Sequence, residues 1–505
     1  MTDKIVIGID VGTSSTKTIA LDNKGVIVAS FTESYPIYSP QFGWNEQDPE
    51  DWWIAAQKTI KQVLEQCKGA SVEGISFSGQ MHGMVALDKN KEVIRRAILW
   101  NDQRTQKQCD ELVDLVGSKE KLIDYTNNVM LTGYTGGKIL WMKENEPENY
   151  QKTDIILNPK DYIRFKLTGE YCTEVSDASG TGFFDVKNRC WSDELIEIAG
   201  LRRSLFPAFV ESTEQTGVVN KEAAQSTGLK EGTKVFGGGG DAVISTTGMG
   251  LLDPGKIGIS LGTSGVVAMG LPKFVRNNGG KLQVFCNNAS GQWHAMGVTL
   301  AAAGSYQWFR DTFGVNLEAI AQEKNISVFD VLNEYAQNTP AGADGLIFLP
   351  YLNGERCPIF DSNAKGAFVG ITASHKIGHF ARAVLEGVSF SLKQVFDLIK
   401  DTAQISDAQD IIISGGGAKS ELWRQILADI FNLPVQTVFG SKEGGAFGAA
   451  LIASTGAGFF ESLQDAMKLA STEEKTKPIQ ENIKVYQELY LKYIRLYESL
   501  KWFFN

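Results

Sequence analysis

Ile7-Gly8-Ile9-Asp10-Val11-Gly12-Thr13-Ser14 decides the architecture, because Ile257-Gly258-Ile259-Ser260-Leu261-Gly262-Thr263-Ser264 repeats it half a chain length later. Six of the eight residues are identical, at an offset of 250. A repeat of that period predicts two similarly built halves. Each copy is an apolar run, a Gly-Thr-Ser turn and a second apolar run, which reads as a β-hairpin. Such a turn exposes backbone N–H groups and short hydroxyl donors, a set suited to phosphate oxygens. One copy alone is explained as well by a tight turn that uses Gly, Thr and Ser for backbone reasons; the second copy favours the phosphate reading. The copies differ at one chemically informative position, where Asp10 of the first becomes Ser260 of the second. Only one half therefore brings a carboxylate to its turn.

The chain has 505 residues, more than one hydrophobic core usually supports, so at least two domains are expected. The expected division is 1–245 and 246–505. A formal charge of −10 argues against a nucleic-acid partner but leaves room for an anionic nucleotide held by local donors. The six cysteines show no CxxC spacing, which disfavours a zinc site and fits a reducing cytoplasm. The chain enters an apolar strand pattern within its first few residues, so no secretory signal is expected. The longest uncharged run, 444–460, is short and broken by five glycines. It is expected to be a helix buried between layers rather than a membrane span.

Along the chain, residues 5–37 read as three strands, with Asp22-Asn23-Lys24-Gly25 as a hairpin turn. Asp48-Pro49 opens a helix that runs to about Cys67, Asp being a good cap and Pro a good first helical residue. A strand near 72–77 ends in Ser78-Gly79-Gln80-Met81-His82-Gly83. Lys234-Val235-Phe236 runs into four glycines, Gly237–Gly240, then Asp241 and a helical pattern to Gly248. Ile411-Ile412-Ile413-Ser414 runs into Gly415-Gly416-Gly417 and then a helix over 421–431. Strands alternating with helices predict an α/β fold whose ligands bind at glycine turns after strands. Residues 480–503 read as one amphipathic helix whose aromatic stripe packs on the first half or joins subunits in a homodimer. The domain junction is expected between Gly237 and Asp253.

The chemistry follows from the turns. A carboxylate at Asp10 beside a phosphate cradle needs a cation between, and Mg²⁺ is held by one or two carboxylates plus phosphate oxygens. A cap of its own turn is the plainer role for the same side chain. Asp241 follows a run of glycines, which is easiest to understand where a ligand approaches backbone; its functional reading is a general base that takes a proton from a sugar hydroxyl, and its structural one a helix cap. His82 with Met81, and Trp100 with Asp102, stand at strand ends and could form a polyol pocket with a flat face and polar edges. Gly415 and Gly416 could lie against a nucleoside. No GxxxxGK[ST] stretch occurs, so a nucleotide must bind by another device.

These residues resemble the FGGY carbohydrate kinases, within the actin/Hsp70-like ATPase superfamily, over essentially the whole chain. The resemblance rests on GIDVGTSSTK, LGTSG, FLPYLNGER at 348–356 and SGGGAKSELWRQILADIF. It implies two ribonuclease-H-like domains with an interdomain cleft, ATP as phosphate donor and Mg²⁺ as its partner. By that resemblance Asp241 is the catalytic base and shares the metal with Asp10. Met81 and His82 contact the sugar, and Thr13, Ser14, Ser15, Lys17, Gly262 and Thr263 surround the phosphates. Gln307, Gly415, Gly416 and Ser420 lie by the nucleoside. GWNEQDPEDWW, SGQMHG, LWNDQRT, NPKDYIRFKLTGEY and EVSDASGT are similar to members that phosphorylate D-xylulose to D-xylulose 5-phosphate. Those members have Asn after the catalytic Asp. Here it is Ala242, and DAVISTTGMG is closer to gluconate kinases. Gluconate or another pentulose or polyol is therefore the alternative substrate, and a sugar acid would call for a pocket cation such as Arg104 or Lys138. A non-catalytic nucleotide switch is the remaining alternative, disfavoured by the pocket-like set of Trp100, His82 and Asp241 and by the lack of a peptide-binding domain or helical lid after the second half.

Overall fold

The apolar run that opens the chain becomes β1 (Lys4–Val11) in a computed structural model that describes residues 4–252, 255–405, 408–440 and 443–504. Ile5, Val6, Ile7, Ile9 and Val11 are fully buried, so both faces of the strand are covered. A strand covered on both faces reads as a continuous apolar run rather than an alternation. The Gly-Thr-Ser turn returns the chain as β2 (Ser15–Asp22), and a second turn leads into β3 (Ile27–Ser34). Asp22 closes that second turn by accepting from the Lys24 and Val26 N–H groups, each at 2.9 Å. Helix α1 (Pro49–Gln66) begins as its sequence predicts, with Asp48 accepting from the Glu50 N–H at 3.0 Å.

β4 (Ser71–Gly79) lies parallel to β1 and sets Ser78 beside Asp10. α2 (Pro159–Thr168), β5 (Gln215–Val218), β6 (Lys234–Phe236), β7 (Gly239–Gly240) and α3 (Asp241–Gly248) follow. The first sheet runs β5-β6-β4-β1-β2-β3, with β7 added to β4. Its β4 pairings are parallel and its β1–β2, β2–β3 and β5–β6 pairings antiparallel, so it is a mixed sheet.

The repeat then starts again with β8 (Lys256–Leu261) and β9 (Gly265–Leu271), antiparallel like β1 and β2. α4 (Ala303–Phe313) and the long α5 (Ile377–Ala403) precede β10 (Asp410–Ser414), which lies parallel to β8 as β4 does to β1. α6 (Glu421–Phe431) and β11 (Val435–Val438) complete another strand–helix–strand unit. The uncharged run becomes α7 (Gly445–Gly456), buried from Gly445 through Ser454 against β1 and β4. β12 (Thr472–Thr476) and α8 (Gln480–Phe504) end the described chain. Five strands of the second sheet run β9-β8-β10-β11-β12. Among the described residues no helix is long and apolar enough to cross a membrane.

The chain divides into two units, the first holding 4–252, Leu271–His294 and Glu443–Ala470 and the second 255–270, 295–440 and 471–504. The first stretch of the first unit ends at Leu252. Two later segments rejoin the first unit, because α7 is the layer that covers β1 and β4.

Helix α8 packs on helices of its own unit. Its stripe carries hydroxyls, which need polar partners once buried. Those partners sit mainly on α5. The Tyr486 hydroxyl accepts from Arg382 at 2.9 Å and donates to Glu386 at 2.7 Å, and Tyr490 donates to Asp397 at 2.6 Å.

Candidate active site

Asp10 ends the buried run of β1, and its Oδ1 accepts from the Ser78 hydroxyl at 2.6 Å. Burial pushes its pKa up, opposed by that hydrogen bond and by the positive charge of Lys17. Gly445, at the start of α7, lies so close that a Cβ there would stand 2.1 Å from Ser78 Oγ and 2.9 Å from Asp10 Oδ1. The helix start can approach the carboxylate only as glycine. Lys17 faces Asp10 across the hairpin, but its Nζ is paired with Glu443 at 2.5 Å. The ammonium expected to bind phosphate thus has a carboxylate partner as well.

Asp241 is the first residue of α3 and keeps a small accessible surface. Its pKa is raised to about 7, first by burial and then by the nearby charge of Asp10, while the backbone N–H groups of Ala242 and Met81 hold the carboxylate and pull the other way. The run of glycines before it has a different cause from the one expected. Gly238 has φ +84°, and a Cβ there would lie 2.3 Å from Phe77 O; one on Gly240 would lie 2.6 Å from Met81 Cγ. The glycines admit the protein's own strand and side chains.

Met81 is buried under that turn, and His82 follows it with φ +68°, in the left-handed region uncommon for residues other than glycine. Three contacts hold His82 there. Its ring stacks on Tyr134 with centroids 4.6 Å apart, its Nδ1 lies 2.6 Å from Gly180 O, and Lys138 Nζ donates to its carbonyl at 2.6 Å. The carbonyl partner requires the proton on Nδ1. Lys138 also donates to Gly133 O at 2.6 Å, and burial lowers its pKa to about 7.

Trp100 is 45% exposed and donates from Nε1 to Thr13 Oγ1 at 3.0 Å, so it stands over the first turn. Asp102 does not face a pocket. It is fully buried, Oδ1 accepts from the Arg104 N–H and Nε, and Oδ2 accepts from the Asn45 N–H and Arg104 Nη2. Arg104 is equally enclosed, pairing also with Glu46 at 2.8 Å and stacking on Trp44. The sequence showed an acid at a strand end; a neighbouring arginine two residues on has drawn it inward.

A polar network behind Asp241 escaped sequence reasoning. The fully buried Lys160 reaches Asp161 at 2.6 Å, Asp177 at 3.2 Å and Glu174 at 3.7 Å. Burial alone would lower its pKa, but the three carboxylates outweigh that and raise it. Glu174 accepts from Ser176, and Ser176 Oγ accepts from the Gly240 N–H at 3.1 Å, one residue before Asp241. NPKDY and EVSDASG carry these groups, but nothing in their spacing shows that they meet.

In the second unit, Gly262 and Thr263 line a cavity of about 420 Å³, with Gln307, Gly416, Ser420 and the aromatic walls Tyr306, Phe329 and Trp423. That size suits a small-molecule ligand. Tyr306 and Phe329 stack at 5.7 Å between centroids. Gly415 is not part of the lining. It has φ +87°, and a Cβ there would lie 2.6 Å from Leu261 O, so it serves the approach of β10 to β8. Ser420 both lines the cavity and caps α6 through the Trp423 N–H.

Twin hairpins, each backed by a parallel strand, define a two-domain kinase fold of the ribonuclease-H-like, actin-like ATPase kind. The chain belongs to the FGGY family of carbohydrate kinases, whose N-terminal domain matches residues 5–248 and whose C-terminal domain matches residues 257–457. It is 38% identical to the xylulose kinase of Bacillus subtilis strain 168, over 99% of this chain and 97% of that one. The crystal structure of xylulose kinase from Rhodospirillum rubrum is similar at TM-score 0.91 and 29% identity, covering 99% of this chain and 100% of that one. The structure of gluconate kinase from Lactobacillus acidophilus is similar at TM-score 0.89 and 29% identity, covering 98% of both chains.

Proposed function

We propose that the protein transfers the terminal phosphate of ATP to D-xylulose, giving D-xylulose 5-phosphate and ADP. The observation that carries the reading is Asp241, a carboxylate raised to about 7, held by the Met81 N–H and beside a second carboxylate. A base with a pKa near the working pH is well matched to take a proton from a sugar hydroxyl. Asp241 accepts that proton as the hydroxyl oxygen bonds to the γ-phosphorus, and the bond to the β–γ bridging oxygen breaks to release ADP. Met81 offers an apolar floor, the His82 ring a polar edge, and the Trp100 ring a flat face. The nucleoside occupies the aromatic-walled cavity, with phosphates on the Gly262-Thr263 turn. Thr13, Ser14 and Ser15 offer the same kind of donors to the transferred group.

Asp10 and Asp241 fit a magnesium ion. They are hard oxygen donors, each raised in pKa by burial, so a cation would relieve both. Among the described residues no group of three or more His, Cys, Asp or Glu is arranged for a metal. That suits an ion that keeps phosphate and water oxygens among its ligands. When bound it would neutralise charge on the β- and γ-phosphate oxygens. We place the reaction in the cytoplasm, a reading supported by cysteines scattered singly along the chain without CxxC spacing.

Gluconate is the second reading, and Ala242 is what favours it. Against it, a sugar acid needs a cation, and neither one that the sequence offered is available. Arg104 is engaged by Asp102 and Glu46, and Lys138 by two carbonyls. A coupled assay of ADP release with D-xylulose, D-ribulose, gluconate and glycerol tests the choice. The expected result is the highest kcat/KM with D-xylulose; a preference for gluconate reverses the assignment.

A further inference from the structure

We infer that Glu355 is a positioning residue for the nucleotide, acting through the segment 300–304 on the Gly262-Thr263 turn. The inference rests on reading the second unit's cavity as the nucleotide site.

The turn has two carbonyls, and one short segment holds both. The Ala303 N–H donates to Gly262 O at 2.9 Å, while the Ala302 and Gly304 N–H groups donate to Thr263 O at 2.9 and 3.1 Å. Ala303, Gly304 and Gln307 go on to line the cavity beside Gly262 and Thr263. The segment is not held by regular structure of its own. Ala302 precedes α4 with φ −103° and ψ −103°, outside both helical and extended geometry, and makes no side-chain cap.

Glu355 supplies the missing anchor. Its Oε1 accepts from the Leu300 N–H at 2.9 Å and from the Arg356 N–H at 2.7 Å. The neighbouring Cys357 N–H donates to Val298 O at 3.1 Å, which ties the same loop to the same strand end. Glu355 is 2% exposed, and among the described residues its Oε2 has no hydrogen-bond partner. Burial pushes its pKa up to about 7. A carboxyl buried with so few donors is unfavourable for stability, and an apolar side chain would fill the volume better. What the carboxyl does, and an apolar side chain cannot, is orient Leu300 and the residues after it. The FLPYLNGER stretch, which carried a family resemblance without a role, thereby acquires one.

The test is isothermal titration calorimetry of the full chain with ADP and magnesium, and separately with D-xylulose. Glu355→Met keeps the volume and removes the acceptor; Glu355→Gln keeps an acceptor oxygen. Removing one anchoring hydrogen bond should weaken ADP about tenfold in Glu355→Met. D-Xylulose affinity should stay within about twofold, and Glu355→Gln should stay within about threefold for ADP, because one acceptor oxygen satisfies the Leu300 N–H. Unchanged ADP affinity in a folded Glu355→Met, an equal loss for both ligands, or a Glu355→Gln as weak as Glu355→Met overturns the inference. If Glu355→Met shows no cooperative melting, Glu355→Asp, which retracts the same carboxyl, replaces it with the same selective loss expected. A wild-type chain that binds no ADP overturns the nucleotide reading as well, and so separates the two failures.

Discussion

The two hairpins share a backbone and divide the chemistry. Each turn is closed by its glycine, the Gly12 N–H donating three residues on to Ser15 O at 3.0 Å and the Gly262 N–H two residues on to Ser264 O at 3.1 Å. Each has a parallel neighbour in register, Asp10 beside Ser78 and Ser260 beside Ser414. In both, the Gly and Thr carbonyls are held from behind, but by different groups. In the first, Tyr35 OH donates to Gly12 O at 2.5 Å and Gln47 Nε2 to Thr13 O at 2.7 Å. In the second, backbone N–H groups of 302–304 do the same work. The repeat keeps the strand pairing around the turn while the supports and the charge differ. Only the first copy carries a carboxylate, and only that unit holds Asp241.

The largest expected effect removes the base that the second copy lacks. Asp241→Asn keeps the volume and the capping geometry but cannot accept a hydroxyl proton. Turnover should fall by roughly 10²–10⁴, with ADP affinity unchanged by calorimetry. Near-wild-type kcat would remove Asp241 from the chemistry. The wild-type pH profile carries the same information. With its pKa raised to about 7 and its proposed role as a base that acts only when deprotonated, Asp241 should make kcat/KM for the sugar rise about tenfold per unit below that pH and level off above it. A flat profile from pH 5.5 to 8 is the outcome that contradicts this.

Next in size is a change that makes the second copy resemble the first. Ser260→Asp would place a carboxylate beside the proposed phosphate site with a serine neighbour, Ser414, but with Val266 across the hairpin where Asp10 faces Lys17. Like charges brought together without a counter-ion cost several kcal/mol. KM for ATP should rise roughly a hundredfold, with KM for D-xylulose little changed. Equal KM values for ATP in variant and wild type would mean that phosphates do not sit at this turn.

What could be read in advance, and what could not, follows from the same contrast. Apolar runs and glycine turns report the backbone, so both hairpins, the Asp48 cap of α1, the buried α7 and the acids at positions 10 and 241 were legible. Partners drawn from distant segments were not. Asp102 looked like a pocket residue until Arg104 and Asn45 claimed its oxygens, and the Glu443 partner of Lys17 could not be foreseen. The glycines at 237–240 and 415 looked like ligand contacts, because sequence shows that a close approach is needed and not what approaches. Lys160, Glu174 and Ser176 are individually ordinary residues; only folding brings them behind Asp241. Gln47 is fully buried and links Thr13 O, Trp52 and Gln80, and no local pattern announces it.

The smallest effect tests whether the two sets of supports are separable. Tyr35→Phe removes one hydroxyl and leaves the ring in place, so the Gly12 carbonyl loses a single donor. A hydrogen bond of this kind is worth about 0.5–1.5 kcal/mol, which corresponds to a loss of roughly two- to tenfold. That loss should fall on kcat, because the first turn is proposed to meet the group in transfer, while ADP affinity should be that of the wild type. Glu355 variants should show the reverse, weaker ADP with kcat near normal at saturating nucleotide. If Tyr35→Phe weakened ADP instead, the supports of the two turns would not divide between transfer and nucleotide grip, and the likeness of the hairpins would extend from their backbone to their function.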